Sequence, residues 1–471
     1  LLPSHLFRIA LATRIIDLQS LRFTSFSAQR TKAKLMIHAY PQELALLVTK
    51  TWNEHHGEET TEDALPDMPL LETLLSTCYQ ASLLREETRP IHFRIIFADP
   101  KIFPDNEGPP FGFHCLEFST CLPLSAQGLR RLSSAANFPR SLIGVRISEK
   151  TGPEIWGIIH SGPRWLQALH GGRASAQKLP DALVVIATGP GNLEVKRGAI
   201  SLGQICDGRV FGPSMNVFQA KWLQDSLKDV RAERLQIHEQ SKGSANTAWA
   251  TLEPELTEVI DKHMMKRMIA AVRAFDHGGT LVLLPPQRSA EICQAKDVVS
   301  IKYEFVEGEP RARFRTLIIS VMNILAEIGA QNPANKIFGW DDYQKTNDSR
   351  IASLDEAIFE VSHLIAALST CDGAVILTKR FELLGFGAEI HCYSTDVSTV
   401  AHALDLEGDR VRLESTQSVG TRHRAAYRLC HALPDALVIV ISQDGAVQFV
   451  KWKNAHVTYW EHQASFSFSA I

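Results

Sequence analysis

The chain has 471 residues, 45% of them hydrophobic and 21% charged, and its 49 basic and 52 acidic side chains leave a formal net charge of −3. That balance excludes a natively disordered chain and a broad cationic surface for nucleic acid, while leaving room for a local phosphate pocket. No apolar run reaches the roughly 18 residues of a membrane-spanning helix, and the length suggests two or three domains.

Residues 1–35 form a basic leader, with Arg8, Arg14, Arg22, Arg30, Lys32 and Lys34 against a single Asp17. Its apolar stretch is broken by Arg8 and Arg14, unlike a secretory signal, and Met36 is the expected native start. The eight cysteines are scattered without a C-x-x-C pair, which reads as buried, reduced thiols in a cytoplasmic protein.

From Leu70 to Leu84 apolar residues recur at helical spacing. Short β-type runs follow at Phe93–Phe97, Cys115–Phe118, Leu142–Ile147 and Ile155–Ile159, and Gly189-Pro190-Gly191 reads as the turn between two further strands. No helix or Lys-Ser/Thr follows that turn, so it is not read as a phosphate loop. His160-Ser161-Gly162-Pro163-Arg164-Trp165 reads as a structural loop at a strand end, with a pocket lining as the other reading. Helical periodicity then runs from Leu256 to Phe275, Gly278-Gly279 stops it, and Thr280–Leu284 reads as a buried strand ended by Pro285-Pro286. A helix is expected around Leu317–Ile328, and Ser353 with Glu356 reads as a capping box opening another.

Two short segments carry chemistry. Asp372-Gly373-Ala374 stands between that last helix and the apolar run Val375-Ile376-Leu377. An acid there lies at a sheet rim, placed to hold a hard cation or take a hydroxyl proton, although Asp-Gly is first of all a turn signal. Gly420-Thr421-Arg422-His423-Arg424-Ala425-Ala426 opens a helix, whose amide groups and dipole attract anions. Two arginines at that end oppose the dipole unless a polyphosphate neutralises them; the plainer reading is a solvated basic patch. Beyond it lie a strand over 436–441, then Ser442-Gln443-Asp444-Gly445 as a hairpin turn.

In their order and wording these motifs resemble the diadenylate cyclase (DAC) domain, over about residues 240–471. The stretch 36–225 resembles the DACNV-type sensor domain that precedes some DAC domains, through Leu75-Ser76-Thr77-Cys78-Tyr79-Gln80-Ala81-Ser82-Leu83-Leu84-Arg85 and Arg140-Ser141-Leu142-Ile143-Gly144-Val145-Arg146. The resemblance implies a mixed α/β fold: a mixed sheet wrapped by helices, preceded by a separate α+β sensor domain.

It also implies a reaction, the condensation of two ATP into cyclic di-AMP with release of pyrophosphate, across two domains that meet face to face in a dimer or larger homo-oligomer. Asp372 would hold a divalent metal, Mg²⁺ or Mn²⁺, and activate the ribose 3′-hydroxyl, with Gly373 and Ala374 against the nucleotide. Gly420 opens the phosphate helix, from which Thr421, Arg422, His423 and Arg424 would grip phosphates, Arg422 and His423 among the catalytic groups. Ser442 would touch the triphosphate, and Gly387 and Ile390 would approach ribose and adenine through main chain. The sensor's ligand is unknown, and neither nucleic acid nor membrane is an expected partner.

The family commonly has an acidic residue after that serine, where this chain has Gln443 with Asp444 next. Residues 286–340 read as an insertion, an oligomerisation element or regulatory arm. An inactive receptor for ATP or cyclic di-AMP is the alternative function.

Overall fold

The computed structural model describes residues 38–462 except 55–64, 104–107, 110–111, 163–178, 199, 207, 214, 245–248, 276, 332–336, 393–395 and 444. The basic leader, Pro163-Arg164-Trp165 and Asp444 therefore lie outside the described residues. The architecture is mixed α/β, with one large sheet in each half of the chain.

The N-terminal sheet has eight strands in the order Arg209–Phe211, Ile200–Cys206, Asn192–Arg197, Leu183–Gly189, Phe93–Phe97, Ser141–Ser148, Gly152–His160, His114–Pro123. Phe93–Phe97 runs parallel to Ser141–Ser148; the other neighbours are antiparallel. Alternation divides the strands between two cores, because successive side chains point to opposite faces. Phe93, Ile95 and Val185 pack with Leu44, Val48, Leu71, Leu74 and Leu75 of the helices Pro41–Glu54 and Met68–Ser82. Ile96, Val184 and Ile186 face the other way, onto Leu142, Phe103 and Trp156. Asp67 caps the second helix by accepting from the Leu70 amide.

The C-terminal sheet takes the order Val299–Ser300, Leu383–Ile390, Ala374–Thr378, Gly279–Leu284, Leu437–Ile441, Val447–Lys453, His456–His462, Thr399–Ala403, Val411–Ser415. Tyr303–Glu304 pairs additionally with Leu383–Ile390. One face, with Leu281, Leu283, Val375, Leu377, Ile439 and Phe449, is covered by the helices Leu256–Ala274, Arg313–Ala330 and Ser349–Leu368. The other, with Val282, Ile376, Val438 and Val440, is covered by Ala426, Tyr427, Leu429 and Cys430 of the helix Thr421–Ala432. Val217, Phe218 and Trp222 also belong to the first of these cores, and Trp222 donates to the Leu406 carbonyl at 3.1 Å.

Two expectations change, a helix start and the burial of the cysteines. The helix expected to open at Ser353 begins at Ser349, because Asp348 accepts from the Arg350 amide at 2.8 Å, while the Ser353 hydroxyl donates back to the Ser349 carbonyl inside the helix. Within the expected insertion 286–340, Phe314, Leu317, Ile318, Val321, Met322 and Leu325 lie in the main core. All eight cysteines are free, but Cys78, Cys392 and Cys430 alone are fully buried.

His263 and His462 fold as neutral imidazoles. Burial and then the nearby Lys266, Arg267 and Lys262 hold His263 at about 3, where it stacks 4.3 Å from Trp340. Burial, with Lys266 and Arg273 adding to it, holds His462 at about 4 between Phe218 and Phe449. Unfolded, both would bind a proton near pH 6.5. The unfolded state therefore holds more protons below that pH, and stability falls as pH drops from 6.5 towards 4. Thermal melts should show this loss, and His462→Gln should flatten it; an unchanged slope in that variant would remove His462 from the explanation.

Candidate functional site

Strand register assembles the motifs. Gly279 pairs with Ile441, and the parallel pairing of Leu281 with Val375 brings the start of Ala374–Thr378 level with the start of Gly279–Leu284. Asp372-Gly373, His277-Gly278 and Ser442 consequently share one rim of the sheet. Asp372 is exposed, just beyond the end of the Ser349–Leu368 helix, and its carboxylate has no hydrogen bond or ion pair among the described residues.

The helix Thr421–Ala432 reaches the same rim through Arg422, whose Nη1 donates to the His277 carbonyl at 3.1 Å. That nitrogen also lies 3.0 Å from the point a Cβ on Gly278 would occupy, which is 2.6 Å from the Ile441 carbonyl oxygen. Arg422 thus ties the start of its helix to the chain just before the strand Gly279–Leu284. Gly420 is the N-cap, with no side chain capping the first turn and no acidic residue in it. Thr421 is exposed, and Arg422, His423 and Arg424 are half-buried, the His423 ring 6.4 Å from that of Tyr427. Among the described residues neither Arg422 nor Arg424, at this helix N-terminus, has a carboxylate partner.

The backbone beside Asp372 is crowded. Gly373 has φ +109°, and a Cβ there would come 2.6 Å from the Gly387 carbonyl carbon and 2.8 Å from the Ala388 nitrogen. Gly387 itself has φ +63°, and its own missing Cβ would sit 3.5 Å from the Asp372 carbonyl oxygen. Glycine is required on both strands for this approach. Gly373→Ala should cost at least about 2 kcal/mol of stability through backbone strain and displace Asp372; thermal unfolding of the variant checks this, and a wild-type melt would contradict it.

The remaining expected residues take these places. Ala374 turns its side chain into the core and has only main chain at the rim. Ile390 ends the strand that carries Gly387 and pairs with Val299. The Ser442 amide and hydroxyl both donate to the Ala446 carbonyl, at 2.9 and 3.1 Å, which fixes the hairpin turn; Gln443 is exposed in it. Gly278-Gly279 reads in the sequence as a helix stop only, and His277 carries no signal there, because its part rests on a backbone carbonyl that no residue pattern advertises.

A divalent ion fits here only in a restricted way. No group of three or more His, Cys, Asp or Glu side chains gathers as a metal cluster among the described residues. Asp372 could serve one side of an ion that phosphate oxygens also hold, as Mg²⁺ is commonly bound through one or two carboxylates plus substrate. Among the described residues the rim does not form a protein cage.

Residues 60–160 match the family described as the probable sensor domain DACNV. The DACNV family is a sensor domain of diadenylate cyclases. It spans the helices Met68–Ser82 and Ala126–Ala135 and four strands of the N-terminal sheet, from Phe93–Phe97 to Gly152–His160. The antiparallel strands from Leu183 to Phe211 lie outside the match. No curated protein and no solved structure matches the chain. No helix among the described residues is long and apolar enough to cross a membrane.

Proposed function

We propose that the chain is a diadenylate cyclase, its C-terminal half condensing two ATP into cyclic di-AMP under the control of the N-terminal sensor domain. The observation that carries this reading is the convergence of Asp372-Gly373, Ser442 and Arg422, from three separate segments, on one sheet rim beside Gly278. The sensor-domain match supports it independently, from the other half of the chain.

In this reading Arg422 and Arg424, with the first-turn amides after Gly420, neutralise the triphosphate and hold it in line. Asp372 orients the ribose 3′-hydroxyl and accepts its proton. The 3′-oxygen forms a bond to the α-phosphorus of the ATP held by a facing copy, and the bond from that phosphorus to the bridging oxygen breaks, releasing pyrophosphate. The second attack, in the opposite sense, closes the ring. A divalent cation at Asp372 and the phosphates would supply further charge neutralisation. One domain holds half of the reacting atoms, so catalysis requires self-association.

The test is pyrophosphate release from ATP as a function of protein concentration. One pyrophosphate per ATP, with specific activity rising with concentration, is expected; release independent of concentration would contradict the two-domain mechanism. A second reading, an ATP or cyclic di-AMP receptor without turnover, is favoured by Gln443 in place of an acid.

A further inference from the structure

We infer that Tyr303 is the platform on which the purine of the bound nucleotide stacks, an assignment that rests on the nucleotide-site reading above. Tyr303 lies in the two-residue strand Tyr303–Glu304, remote in sequence from both motifs, and pairs directly with Phe386. The two rings stack with centroids 4.7 Å apart and planes 22° apart, and Phe305 supports Phe386 from 5.8 Å. Such a cross-strand pair ordinarily serves packing. Here the tyrosine as a whole remains 44% exposed, so packing does not consume it.

Its position points to a ligand. The Tyr303 ring edge is 3.2–3.4 Å from the place a Gly387 Cβ would occupy, and the Asp372 carbonyl oxygen is 3.5 Å from that same place. The absence of side chains at Gly373 and Gly387 thus leaves the aromatic ring bordering the backbone of the residue expected to address the ribose hydroxyl. A base joined to that ribose is within reach of the ring. Phe386 holds the ring in orientation before any ligand arrives, so little side-chain entropy is lost on stacking. A cation over the ring, the Lys302 ammonium at 5.2 Å from its centroid, belongs to an exposed side chain that can swing away or towards a phosphate.

Calorimetric titration of the full chain with ATP and, separately, with inorganic tripolyphosphate tests the assignment. Tripolyphosphate reports the phosphate grip without a base. Tyr303→Ala should weaken ATP about tenfold, in keeping with loss of one base–aromatic stack, and leave tripolyphosphate unchanged. Tyr303→Phe and Tyr303→Trp should restore ATP affinity. Unchanged ATP affinity in Tyr303→Ala, or an equal loss for both ligands, would overturn the platform while leaving the phosphate site standing. Failure of the wild-type chain to bind either ligand, or indifference of both to Arg422→Ala with Arg424→Ala, would instead overturn the nucleotide-site reading and Tyr303 with it.

Discussion

Asp372→Asn should lower cyclic di-AMP formation at least about a hundredfold while changing ATP affinity by no more than about twofold. The substitution keeps the volume of the side chain, and the wild-type carboxylate is exposed with no partner among the described residues, so the fold has nothing to lose. What disappears is the proton acceptor and the negative charge at the rim. Because the arginines and helix amides that would bind the triphosphate belong to another segment, ground-state binding should persist. Single-turnover rates and equilibrium ATP titration on the same preparation separate the two quantities. Turnover at the wild-type rate would remove Asp372 from the chemistry.

Arg422→Ala combined with Arg424→Ala should act on the other quantity, weakening ATP binding by about two orders of magnitude. Hydrogen bonds to charged groups contribute about 1.5–3 kcal/mol each, and two such contacts would be lost. Neither guanidinium is held by a protein carboxylate among the described residues. Among the described residues Arg422 loses its 3.1 Å bond to the His277 carbonyl, an exposed contact whose removal costs little stability. Unchanged ATP affinity would return both arginines to the role of a solvated basic patch. The contrast between the variants is informative in itself: one should impair the step and the other the binding.

The regular elements were largely legible in the residues, because burial on one face imposes period. Phe93–Phe97, Leu183–Gly189 and Leu437–Ile441 are short apolar runs between turn signals, and each is a strand with buried residues. The Ser349–Leu368 helix was misplaced at its start because two caps competed. Asp348 and Ser353 both offer an N-cap oxygen, and only the tertiary setting, where Ile351 is fully buried, extends the helix back to Ser349. In the 286–340 segment, expected as an insertion, apolar periodicity around Leu317–Ile328 points to the helix Arg313–Ala330, whose Leu317, Val321 and Leu325 are buried.

For the candidate site, the side chains could be named and their assembly could not. Asp372 and Arg422 stood out as an acid at a rim and a cation against a helix dipole. What brings them to one rim is the pairing of Gly279 with Ile441 and of Leu281 with Val375, long-range register that no local spacing encodes. Tyr303 was invisible for the same reason. A tyrosine in a short polar stretch acquires meaning only when Gly387 and the Asp372 backbone are placed beside it.

The most direct measurement is incubation of the purified full chain with ATP and Mg²⁺ or Mn²⁺, with the nucleotide products separated and weighed by mass-resolved chromatography. The account predicts cyclic di-AMP together with pyrophosphate. Measurable ATP binding without any cyclic dinucleotide, with either metal and in the chain starting at residue 240 as well as in the full chain, would contradict it and leave the receptor.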